Sequence, residues 1–108
     1  MAKRPKRFWR IEIEEGHVPV FRRILPGNLS ENEVATLLQR LACRKLTANE
    51  IVGASLRAPK AAALLDVRFE HLPKAARPLI WLTTFPHFIA SLWAADELPQ
   101  EPEIGSDF

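Results

Sequence analysis

From Phe8 to Glu14 the chain alternates, with Trp9, Ile11 and Ile13 pointing one way and Arg10, Glu12 and Glu14 the other. A period of two predicts a strand with one buried face. By Ser30 the period has changed. Ser30-Glu31-Asn32-Glu33 is a capping box, Leu29 and Val34 occupy its staple positions, and Val34, Leu37, Leu38 and Leu41 recur at i, i+3, i+4 and i+7. That pattern predicts a helix over 30–45, with Arg44 and Lys45 at the negative end of its dipole. A chain that makes this switch has to set a sheet against a helix, which excludes both a pure helical bundle and an all-β sandwich.

The remaining elements follow from smaller signals. Glu15-Gly16 reads as a hairpin turn leading into a second strand, Val18 to Leu25. Pro19 cannot donate to a ladder, which places that strand at a sheet edge. Thr47-Ala48-Asn49-Glu50 repeats the capping box and starts a second helix, stapled by Leu46 and Ile51. Pro59 to Leu65 reads as a short third helix with a first-turn proline. Asp66 to Leu72 alternates again, and Leu79 to Thr84 is an apolar run of strand length. Phe85, Phe88, Ile89, Leu92 and Trp93 then fall at helical spacing, predicting a last helix over 86–97; the alternation of Phe88, Ala90 and Leu92 keeps a strand as the alternative. The expected order is β-β-α-α-(α)-β-β-α. It describes an α+β domain: a mostly antiparallel sheet of three to four strands with two to four helices packed on one face.

Charge is segregated along the chain. Residues 1–10 carry Lys3, Arg4, Lys6, Arg7 and Arg10 without an acid, and residues 96–108 carry Asp96, Glu97, Glu101, Glu103 and Asp107 without a base. The net +2 of the 108 residues conceals this. Residues 1–7 are expected as a flexible basic arm, 8–97 as a single domain and 98–108 as a flexible acidic tail. The length fits one small domain. A single cysteine, Cys43, excludes an internal disulfide framework. With no secretory segment at the start, the expected location is cytoplasmic.

Motifs for catalysis are missing. His17, His71 and His87 have no metal-ligand spacing, and no HExxH, GxSxG, P-loop or GxGxxG occurs. Cys43 falls at the C-terminal end of the first helix, the wrong end of the dipole to favour a nucleophilic thiolate. His71 and His87 read as structural histidines, and Glu12 with Glu14 as a solvated strand face. Residues 79–95 hold no Asp, Glu, Lys or Arg, but Thr83, Thr84, Pro86, His87 and Ser91 suit a core strand and helix better than a membrane span. No enzyme activity, cofactor, metal, membrane or small-molecule substrate is expected. A winged helix-turn-helix is disfavoured because Pro59 falls where a recognition helix needs an amide, and a helix starting there offers only Lys60 among alanines.

What remains is contact with a macromolecule. Trp81, Phe85, Phe88 and Trp93 in one short stretch exceed what a small core needs, so those left outside would form an apolar patch for a protein partner or a homodimer. The alternative partner is nucleic acid, held by Lys3, Arg4, Lys6, Arg7 and Arg10. The oppositely charged ends can also mask one another. Deleting residues 98–108 is then expected to tighten polyanion binding in a gel shift, with a log–log salt slope of up to about −4.5 on duplex DNA; unchanged affinity would rule out masking.

Overall fold

The computed structural model describes residues 6–57, 64–72, 77–82 and 86–105. Among the described residues, five strands and two helices follow in the order β1 (Arg7–Glu15), β2 (Val18–Pro26), α1 (Glu31–Cys43), α2 (Ala48–Ser55), β3 (Val67–Leu72), β4 (Arg77–Leu82) and β5 (His87–Ala94). The strands form one antiparallel sheet in the order β2-β1-β5-β4-β3. The α+β class holds, with one more strand than the sequence predicts.

The hairpin joining β1 to β2 turns at Gly16-His17, one residue later than expected. Both residues have positive φ (55° and 67°), as in the type I′ turn whose twist matches a hairpin. Ile13 pairs with Phe21 and Glu14 with Pro19, so Val20 is the extra residue of a bulge. β2 lies at the sheet edge, where the missing N–H of Pro19 is tolerated.

Both helices start as their capping boxes dictate. Ser30 Oγ accepts from the Glu33 amide at 3.1 Å, and Glu33 Oε1 accepts from the Ser30 amide at 2.9 Å. Thr47 and Glu50 do the same at 3.1 and 2.8 Å. The bonds from Ser30 hold the Glu33 carboxyl below its usual range. Its contribution is therefore present at neutral pH and lost as pH falls through that lowered value.

One face of the sheet and one side of α1 make the core. Trp9, Ile11 and Ile13 of β1, Ile80 and Leu82 of β4, and Phe88, Ala90 and Leu92 of β5 meet Val34, Ala35, Leu38 and Ala42 of α1. Trp9 satisfies its indole N–H on the Leu29 carbonyl at 2.9 Å.

The predicted helix over 86–97 is a strand over 87–94. Phe88, Ala90 and Leu92 point to the core, while Ile89 and Trp93 lie half-buried on the other face. A strand in the middle of a sheet is apolar on both sides, and two apolar alternations overlaid mimic helical spacing. Pairing with β1 and β4 on either side decides between them. Most of the third helix expected over 59–65, residues 59–63, lies outside the described residues.

Leu38 is fully buried at the centre of α1. Leu38→Ala should lower stability by about 3 kcal/mol, read from urea unfolding followed by Trp fluorescence.

Candidate functional site

Two features stand on the sheet face turned away from α1. The first is an ion network centred on β1 and β2. The register sets Glu12 opposite Arg22 and Arg10 opposite Ile24, so Arg10, Glu12, Glu14 and Arg22 share this face. Arg22 Nε donates to Glu12 Oε2 at 2.7 Å, and Arg10 Nη2 donates to the same oxygen at 2.8 Å. Glu101 closes the cluster from the C-terminal segment, 2.8 Å from Arg10 Nη2 and 3.1 Å from Arg22 Nη2. Arg22 is only 5% exposed and Glu12 8%. Glu12 is therefore not part of a solvated face, as its pattern implied. It is the buried counter-ion of two guanidiniums.

Glu14 extends the cluster. A side-chain hydrogen bond to Glu12, then burial, then the Glu12 charge push its carboxyl above the usual value, against smaller opposing effects of His17 and His87. Both Glu12 contributions and the burial act in the same direction, favouring the neutral form of Glu14 beside the Glu12 carboxylate.

The same network seats the C-terminal segment. Arg22 and Ile104 exchange two backbone hydrogen bonds at 3.1 Å each. Glu103 Oε2 accepts from the Ile24 amide at 2.9 Å, and Arg22 Nη1 donates to the Pro102 carbonyl at 3.1 Å. Gly105, at φ 73°, lies where a side chain would collide with the Val20 carbonyl. Residues 101–105 thus lie along β2, joined to it by the isolated Arg22–Ile104 bridge. Nothing in a Pro- and acid-rich tail announces such a seat in the sequence.

The second feature is apolar. Cross-strand pairing sets Phe8 beside Trp93, and Ile89 beside Trp81, on this face, with Leu79 opposite Ser91. Phe8, Leu79, Trp81, Ile89 and Trp93 are all half-buried. Trp93 Nε1 donates to Ser91 Oγ at 2.6 Å, and the Arg77 guanidinium stacks 3.6 Å from the Trp93 ring centroid. Arg77 Nη2 also reaches Glu97 Oε2 at 3.0 Å.

Of the residues expected to contact a partner, Trp81 and Trp93 share this face. Phe88 points the opposite way and is 1% exposed in the core, because it occupies the other phase of the β5 alternation. Phe85 lies outside the described residues. Of the basic arm, Lys3 and Arg4 lie outside the described residues, while Lys6 and Arg7 are exposed. The Lys6 carbonyl accepts from the Ala95 amide at 2.9 Å, which joins the start of β1 to the turn after β5. Arg10 is not with them: its guanidinium is neutralised by Glu12 and Glu101.

His87 is exposed, at the start of β5, where a core or capping position was expected. His71 is likewise exposed on the edge strand β3 and lies 3.2 Å from Glu31. Among the described residues, no group of His, Cys, Asp and Glu is placed to hold a metal ion, and no helix is long and apolar enough to cross a membrane. No protein-family model, curated protein or solved structure matches the chain.

Because Glu14 is raised in the folded state, its stabilising effect is full in acid and is lost as pH rises through its folded value. Glu14→Gln should therefore raise the unfolding midpoint at pH 7 relative to the unmodified chain and leave it unchanged at pH 3, measured by calorimetry.

Proposed function

We propose that this chain is a small non-catalytic binding protein that presents the sheet face turned away from α1 to an apolar surface of another protein, in the reducing cytoplasm where Cys43 stays a free thiol. The strip Phe8, Trp93, Ile89, Trp81 and Leu79 carries the reading: aromatic and aliphatic side chains, half-buried on a face that α1 does not cover. Trp and Arg dominate the energetics of protein interfaces, and here Trp81 and Trp93 are flanked across the strands by Arg68 and Arg77. Acids on the same face favour a protein over a polyanion. Glu70 is exposed there and repels a phosphate backbone, while Arg10 and Arg22 are already neutralised by Glu12 and Glu101. The arm keeps Lys6 and Arg7 exposed, which supports nucleic acid as the second reading.

Affinity capture from the native host, with nucleic acid and protein both identified, distinguishes the two. A protein partner should be retained by the unmodified chain and by Val52→Ser, a control on exposed α2, but lost with Trp81→Ser. Its retention should also hold between low and high salt. Nucleic acid that is released steeply as salt rises would establish the second reading, and capture of neither would overturn both.

A further inference from the structure

The two edges of the sheet are finished differently. At β2, Pro19 removes a donor, Ile104 pairs with Arg22, and the Glu103 carboxylate takes the Ile24 amide. At β3, the opposite edge, the strand Val67–Leu72 contains no proline, and among the described residues no backbone hydrogen bond reaches it from any strand but β4. Phe69 is 47% exposed there, although it lies on the face where Val67 packs against the core. Arg68 and Glu70, on the other face, are exposed as well.

This edge is complementary to itself. Laid antiparallel about a two-fold axis through Phe69, two copies set each Arg68 opposite Glu70 of the other copy, and Phe69 opposite Phe69. Moving the axis by one residue in either direction sets Arg68 against Arg68 or Glu70 against Glu70. Opposite charges directly across a ladder stabilise it and like charges weaken it, so the sequence selects one register. An aromatic pair at the axis adds to the same choice. A strand with its hydrogen-bonding groups outward, an exposed aromatic and charges that match only in one self-pairing fits a second copy of this chain better than an arbitrary strand.

We propose that the chain forms a homodimer through β3, in antiparallel register centred on Phe69, joining the two sheets into one. This contact uses an edge and not the Trp81–Trp93 face, so it stands or falls separately from the binding reading above.

Sedimentation equilibrium over a wide concentration range tests it. The unmodified chain should show a monomer–dimer equilibrium. Arg68→Glu and Glu70→Arg should each weaken dimerisation about tenfold, since each turns two symmetry-related attractions into repulsions. The double variant R68E/E70R should regain the original affinity, and mixing the two single variants should give a heterodimer tighter than either homodimer. Hydrogen exchange on the unmodified chain needs no substitution: amides of residues 67–71 should gain protection as concentration rises. A chain that stays monomeric, a dimer indifferent to both single reversals, or protection gained elsewhere and not over 67–71 would overturn the proposal.

Discussion

α1 can cover only one side of a sheet five strands wide, and most of the other features answer to that limit. Val34, Leu38 and Ala42 fill the space above β1, β5 and β4 on the first side. The second side has to remain in contact with water while β1, β5 and β4 still pack there. The chain solves this in two ways along the sheet. Towards β2 it uses paired charges, and across β5 and β4 it uses half-buried rings partly roofed by Arg77. Apolar area left on a face of this kind is stabilised by being covered, and a partner surface covers it at no further cost in folding.

The charged end is the more demanding arrangement. Arg22 has given up most of its hydration, at 5% exposure, and a guanidinium in that position is tolerated only when each donor finds an acceptor. Its three nitrogens reach Glu12, Glu101 and the Pro102 carbonyl. Two of these acceptors come from the C-terminal segment. Attachment of that segment and burial of Arg22 are therefore one event: removing either leaves the other with unpaired polar groups. The same segment finishes the β2 edge, so a single ion network closes both a face and an edge.

Much of the local structure was legible because it is written in short-range terms. Alternation from Trp9 to Ile13 marked β1, two capping boxes marked both helix starts, and Pro19 marked an edge strand. The signals that failed were those settled by distant residues. β5 resembles a helix because Phe88 and Leu92 serve one face while Ile89 and Trp93 serve the other, and only its neighbours β1 and β4 reveal two faces in place of one stripe. Glu12 looked solvated because its buried partner, Arg22, stands 10 positions away in sequence and is held in turn by Glu101, a further 79 along. For the same reason the sequence does not separate Phe88 from Trp81 and Trp93: the phase of β5 assigns Phe88 and Trp93 to opposite sides, and that phase is fixed by pairing with β1.

The charge segregation of the ends takes on a different meaning in this frame. Five acids in residues 96–108 invite the idea of a tail that neutralises the basic arm as a whole. The contacts are more selective. Glu101 takes Arg10 and Arg22, Glu103 takes a backbone amide of β2, and Glu97 takes Arg77. Three of the five acids are thereby committed to the folded domain, all of them to cations outside residues 1–7 or to backbone. Lys6 and Arg7, beside the 95–97 turn, remain exposed. The acidic segment is anchored on β2 by the Arg22–Ile104 bridge and by charged contacts at Glu101 and Glu103. A uniform electrostatic tether would loosen along its whole length as salt rises; a segment held by the Arg22–Ile104 backbone pair and by buried guanidiniums is screened far less.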